Sequence, residues 1–266
     1  MLRVGDQADA RGAASIGESA GVLGHEQSLA EPEPRVPRGK KERCVWALAR
    51  GGGVPHNGPV KPLLFVFAHG AGAPSSHPWM AAWAERLSTL GVVDCFDYPY
   101  MQSKKRAPDP QPVLVRAHLA AIDRARAAHP DHELILIGKS MGARMGCHAA
   151  LERQVAQVVC LGYPLVAPGN SGKVRDQVLL ELETPILFVQ GTRDPLCPLE
   201  RLAEVRKKMR APSKLFVVDA GDHSLQVTKT QLKQSGEDQA TVDARVLHVI
   251  SHFVRDTPAA LKTPIH

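Results

Sequence analysis

The amino-acid sequence predicts an α/β protein in which a mostly parallel central sheet carries helices on both faces, and three observations predict it. From residue 62 onward, short apolar runs of strand length alternate with longer helix-compatible segments, the pattern of strand–helix–strand units. Three of those runs lead into a serine, an aspartate and a histidine, and in an open parallel sheet the carboxyl ends of the strands converge on one edge where such residues can meet. The length of 266 residues suits a single sheet domain of this kind, because such domains commonly exceed about 200 residues as one unit.

The elements follow in order. Residues 1–42 are rich in Gly, Ala, Ser, Glu and Pro without a sustained period, so a flexible arm is expected there. That arm has no apolar signal-peptide core. Arg3, Arg11 and several serines would suit a transit peptide, but Asp6, Asp9, Glu18 and Glu26 oppose one. The domain is expected over residues 43–256 and a flexible tail over 257–266. Residues 44–49 read as a first strand closed by Gly51-Gly52-Gly53. Strands are then expected over 63–68, 92–97, 133–137, 155–161, 185–190 and 214–218, with helices over 79–90, 112–128, 143–153, 198–209 and 239–254. The connection 164–184 has room for one short helix near 174–182, so a minimal lid and an open site are expected, which disfavours interfacially activated lipid hydrolysis.

Ser140 stands in Gly138-Lys139-Ser140-Met141-Gly142, directly after the apolar run that ends at Ile137 and directly before a helical stretch. A serine at the apex of a strand–turn–helix adopts a strained backbone, and the residues two before and two after it must be small. A glycine-rich turn is the bland alternative. Downstream, one strand ends in Gly191-Thr192-Arg193-Asp194-Pro195 and another in Asp219-Ala220-Gly221-Asp222-His223, the order nucleophile, acid, histidine that α/β-hydrolases require. Ser140 needs His223 to take its proton and deliver it to the leaving group, and Asp194 would hold the imidazole in the right tautomer. Asp222 and Glu200 are rival acids. The oxyanion donors are expected from the backbone N–H of Met141 and of Ala71, the latter in the loop His69-Gly70-Ala71-Gly72 after the strand 63–68.

For His69 a hydrogen-bonded structural role is favoured over a catalytic one. Lys139 and Arg144 flank the nucleophile; solvated or paired charges are the favoured reading, and binding of an acidic substrate is the alternative. The loop 98–112, with Tyr100, Met101 and Lys104-Lys105-Arg106, is expected to border the site and carry substrate selectivity.

Composition excludes several function classes. No run approaches the ~18 apolar residues of a membrane span. The net charge of +6 comes with an aromatic fraction of only 5%, so the stacking platforms of a nucleic-acid binder are lacking, and Arg201, Arg206, Lys207, Lys208 and Arg210 read as the solvated face of a helix. Residues 169–173 lack the spacing of a phosphate loop. His129 and His132 have no acidic or thiol partner at ligand spacing, so neither a metal nor a cofactor is expected. Cys44, Cys95, Cys147, Cys160 and Cys197 are odd in number and scattered, which points to buried thiols in a reducing, cytoplasmic compartment, with the nucleus as the alternative.

The segments 68–72, 138–144, 191–194 and 222–225 together resemble the KANL3/Tex30 group of α/β-hydrolase-like proteins over about residues 62–252. The basic residue before the serine, Met141-Gly142 after it and Arg144 carry most of the specificity. The resemblance implies an α/β-hydrolase fold and a hydrolase assignment whose substrates are mostly undefined. One branch of the group serves in a chromatin-acetylating complex, but its long extra regions have no counterpart here. Two functions of different class follow. The first is a serine hydrolase acting on a small-molecule ester, thioester or short acyl-amide through an acyl-enzyme on Ser140. The second is a non-catalytic scaffold or binding protein of the same fold.

Overall fold

The computed structural model describes residues 61–167 and 169–256. The expected arm, tail and first strand at residues 44–49 lie outside the described residues.

Among the described residues, six strands form one wholly parallel sheet in the order β2-β1-β3-β4-β7-β8. They are β1 (Leu63–Ala68), β2 (Val92–Phe96), β3 (Glu133–Lys139), β4 (Gln157–Leu161), β7 (Ile186–Gly191) and β8 (Ser213–Val218). The central strands are buried almost end to end because helices cover both faces, which is why they read as continuous apolar runs rather than alternating ones. On one face lie α1 (Pro78–Ser88) and α8 (Gln239–Asp256), whose Met80, Trp83, Leu87, Val242, Val246 and Ile250 pack on Phe65, Ile135 and Val159. On the other lie α3 (Gln111–Ala128), α4 (Met141–Glu152), α5 (Gln177–Glu181) and α6 (Leu199–Lys208), gathered around Leu64, Leu136, Val158 and Phe188.

The chain leaves β1 towards β2 on one side, returns through α3 to β3 on the other, and so opens a crevice above the carboxyl ends of β1 and β3. That is the topological switch point where open α/β sheets bind ligands. The strand ends are level there, with Ala68 in register with Gly138, Lys139 with Leu161 and Gly191 with Val218. The loops after four strands therefore reach one small volume.

Three elements go beyond the sequence expectation. The four-residue α2 (Pro99–Gln102) lies inside the loop 98–112, and α7 (Lys229–Ser235) follows the histidine loop. Between β4 and β7 the short helix α5 is accompanied by an antiparallel hairpin of β5 (Val166–Ala167) and β6 (Asn170–Val174). The helix expected over 174–182 thus shares its start with the hairpin, because Arg175 N–H is drawn to the Leu165 carbonyl at 2.7 Å. These are the only elements between β4 and β7 among the described residues, so the lid is small. No described helix is long and apolar enough to cross a membrane.

Candidate active site

Ser140 caps α4 with φ 52° and ψ −114°, a left-handed half of the map that serine enters at a cost of order 1–3 kcal/mol. The turn is sharp enough that a Cβ on Gly138 would sit 2.3 Å from Ala143 N, and one on Gly142 2.4 Å from the Ala68 carbonyl oxygen. Both positions therefore exclude every other residue, and the glycines let β3 pass into α4 against β1. Around the first loop the requirement is weaker: a Cβ on Gly70 would meet nothing closer than 3.4 Å, and one on Gly72 nothing within 4 Å.

The strained turn lifts Ser140 Oγ to 2.7 Å from His223 Nε2, and His223 Nδ1 lies 2.8 Å from Asp194 Oδ2. An ionised Asp194 only accepts, so Nδ1 carries the proton and Nε2 is free to accept from the serine hydroxyl. Asp194 is almost fully buried. Its carboxylate is satisfied by Leu196 N–H at 2.8 Å on Oδ1 and by the Gln190 side-chain amide on Oδ2. Gln190 in turn accepts from Tyr163 N–H at 3.0 Å, so the acid is held by a chain of buried bonds reaching β4 and β7. The rivals are spent elsewhere. Asp222 Oδ1 accepts from Ser224 N–H at 2.7 Å and Gln226 N–H at 2.9 Å, folding the histidine loop, while Glu200 is exposed on the first turn of α6.

The first loop is set by His69, which is fully buried. Tyr98 N–H donates to its Nε2 at 3.1 Å, so the proton is on Nδ1, which donates to the Gly70 carbonyl at 2.6 Å. Burial lowers its pKa and keeps it neutral, so the 3.6 Å approach to Asp97 is not an ion pair. Because a trans peptide points its N–H opposite its C=O, holding the Gly70 carbonyl also aims the Ala71 N–H away from the His69 ring. Tyr100 Oη donates to the Ala71 carbonyl at 2.9 Å and tightens the same loop from α2. Tyr100 is buried and Met101 packs, partly buried, against the core. Met141 opens α4, where its N–H is among the first-turn donors that have no acceptor within the helix.

Lys139 departs from the favoured sequence reading: it is 9% exposed, neither solvated nor joined to a carboxylate by an ion pair. It closes β3, where its neighbours crowd out water. Its ammonium donates to the His223 carbonyl and lies 5.5 Å from the Trp79 ring centroid. Burial lowers its pKa to about 8, against the opposing pull of Asp194 and Asp222. Trp79 Nε1–H donates to the next carbonyl, that of Ser224, at 3.0 Å. Two successive carbonyls of the histidine loop are thus gripped from α1 and β3, and Gly162 passes so close beneath that a Cβ there would lie 2.6 Å from the His223 carbonyl oxygen. Trp79, Gly162, Gln190 and Tyr163 escaped sequence reasoning, since their roles arise only from partners distant in the chain. Arg144 is half-buried and also without a carboxylate partner among the described residues; its Nη1 donates to Gln111 Oε1 at 2.8 Å. Among the described residues no group of three or more His, Cys, Asp or Glu side chains is arranged to hold a metal ion.

A strand–turn–helix with a strained serine, at the switch point of a parallel sheet, defines the α/β-hydrolase class of fold. The sequence profile of the family described as alpha/beta hydrolase domain matches residues 61–255, and the chain belongs to that family. Among solved structures it is similar to an alpha-beta serine hydrolase homologue from Coxiella burnetii, with TM-score 0.56 and 18% identity over 76% of this chain and 88% of the other. It is also similar to a lidless α/β serine hydrolase from Xanthomonas campestris, with TM-score 0.55 and 18% identity over 79% of this chain and 88% of the other. Among curated proteins it is 25% identical over 205 residues to protein sumv-2 of Caenorhabditis elegans, a match that spans 75% of this chain but only 18% of that protein.

Proposed function

We propose that the protein is a serine hydrolase that cleaves a small-molecule ester or thioester through an acyl-enzyme on Ser140. The observation that carries this reading is the unbroken relay from Asp194 through His223 to Ser140, with heavy-atom separations of 2.8 and 2.7 Å.

His223 Nε2 takes the hydroxyl proton as Ser140 Oγ attacks the substrate carbonyl, and Asp194 stabilises the imidazolium that forms. The developing oxyanion is held by the N–H groups of Met141 and Ala71, whose removal one at a time costs roughly a hundred- to a thousandfold in rate. The tetrahedral intermediate collapses as His223 returns the proton to the leaving oxygen or sulfur. A water then repeats the cycle and releases the acid. His69 and Tyr100 act as positioning residues for the Ala71 peptide, and Lys139 and Trp79 do the same for His223. The small connection between β4 and β7 favours a soluble substrate over an aggregated lipid, in line with the lidless relative from Xanthomonas campestris.

Reaction of the purified chain with a fluorophosphonate, followed by mass spectrometry, tests this. An adduct on Ser140 in the wild type and none in Ser140→Ala or His223→Ala is the expected result. A folded wild-type chain that takes up no probe would overturn the enzyme reading and favour a binding protein of the same fold.

A further inference from the structure

Arg144 lies on the first turn of α4, four residues beyond the nucleophile, and its N–H donates to the Ser140 carbonyl at 3.2 Å. Nothing acidic answers its charge. Its Nη1 reaches Gln111 Oε1 at 2.8 Å, while its Nε is buried with no hydrogen-bond partner. No described ion pair includes it. Its electrostatic neighbours include the phenols of Tyr98 and Tyr163, the Cys147 thiol, His148 and a second cation, Arg175, just past the hairpin β5–β6. Tyr163 Oη donates to the Arg175 carbonyl at 3.1 Å and so ties that residue to the same corner. Both arginines are only partly exposed. Burial and Arg175 both work against the Arg144 charge, and its pKa is lowered accordingly.

A half-buried guanidinium that has a second cation among its electrostatic neighbours and no counter-ion costs free energy that a folded chain normally avoids by pairing it. A bound anion removes that cost, and a planar carboxylate suits the guanidinium fork. The side of the sheet indicates which part of a substrate would carry it. The histidine loop belongs to the face of α1 and α8, through Leu225 and Trp79, whereas Tyr98, Tyr163, Met141 and Cys147 around Arg144 belong to the opposite face. His223 protonates the leaving group, which departs on its own side, so the acyl chain extends towards Arg144.

We propose that Arg144, with Arg175 as a neighbouring cation, forms an anion subsite beside Ser140, and that the substrates are esters or thioesters whose acyl group ends in a carboxylate. The substrate class rests on the hydrolase reading; the subsite does not, and the experiment separates them. The wild type is expected to hydrolyse mono-4-nitrophenyl succinate with kcat/KM at least about tenfold above 4-nitrophenyl butyrate, and Arg144→Met to lower that ratio roughly ten- to a hundredfold, the range of a lost charge-assisted pair. Arg144→Lys and Arg175→Gln are expected to lower it less, and they keep the test open if Arg144→Met does not fold. A wild-type ratio near one, or a ratio that all folded variants retain, would overturn the proposal. If neither ester is turned over and Ser140 takes up no fluorophosphonate, the hydrolase reading fails. The subsite is then judged by thermal unfolding at constant ionic strength: a rise with succinate, absent with succinamide and absent in the arginine variants, supports it, and no rise overturns it.

Discussion

The turn that carries Ser140 and the loop that carries His223 bring two atoms within 2.7 Å of each other by opposite means. The serine turn is local. Strand β3, the single residue Ser140 and helix α4 follow without interruption, and two glycines remove the side chains that would collide. The histidine loop is assembled from a distance. Its own residues supply Asp222, which accepts from Ser224 and Gln226, and two non-glycine residues at positive φ, Ala220 at 53° and Leu225 at 63°. Its position relative to the serine is set from elsewhere, by Lys139, Trp79, Gly162 and Asp194 among others. Damage to the glycines of the serine turn should therefore cost folding and activity together. Damage to the histidine anchors should cost activity first.

That contrast can be broken or sharpened in order of effect. Ser140→Ala is expected to lower kcat by roughly 10⁴- to 10⁶-fold, because triad members act as a unit, while the thermal midpoint holds, since alanine keeps the Cβ and the strained backbone of the turn. Esterase kinetics beside a thermal melt reads both; appreciable residual turnover would show a different nucleophile. Asp194→Asn is expected to lower kcat by about 10³- to 10⁴-fold by inverting the amide–imidazole bond and so selecting the wrong tautomer. Gly142→Val should destabilise by roughly 3 kcal/mol or more, since the new side chain meets the Ala68 and His69 carbonyl oxygens at 2.4 and 2.6 Å, and a denaturant midpoint measures it. A stable, inactive Gly142→Val chain would contradict the coupling of fold and activity on this side.

Lys139 gives a subtler test. Its folded pKa is lowered to about 8 from 10.5, so between those values the unfolded chain binds more protons than the folded one. Wild-type stability should accordingly rise from pH 8 towards pH 10 relative to Lys139→Met, by at most about 3 kcal/mol. Urea midpoints of the two chains across that window check the sign, and parallel curves would refute the buried cation. The same variant should lower kcat more than it raises KM, because it loosens His223 rather than the substrate. Smallest is Tyr100→Phe, which loses the bond to the Ala71 carbonyl; about 1 kcal/mol, or a factor of five to ten in kcat, is expected.

Apolar run lengths and glycine spacing were enough to locate β1, β3, β7, β8 and the helices between them to within a few residues. They also pointed to Ser140, Asp194 and His223, because each follows a strand whose end must lie on the common edge. The hairpin β5–β6 and the helices α2 and α7 were not legible. The four residues of α2 and the seven of α7 give periodicity too little length to register, and β5 pairs with β6 only through contacts the local pattern does not encode. The choice of Asp194 over Asp222 was open in the sequence for a related reason: both follow a strand, and only the bonds of Asp222 to its own loop show that its carboxylate is occupied.

The two basic residues beside the serine divide the matter most clearly. Their positions, one before the nucleophile and one a helical turn after it, are properties of the sequence, as are the parallel sheet, the elbow and the order of the three polar residues along the chain. Those follow from local sterics and from the period of apolar burial, which act over a few residues. That Lys139 grips the histidine loop and Arg144 is left without a carboxylate partner among the described residues was decided by tertiary structure. A charge's neighbours are set by which strands and loops meet across the sheet edge, and its solvation by how closely they pack, so neither can be read from the residues on either side of it.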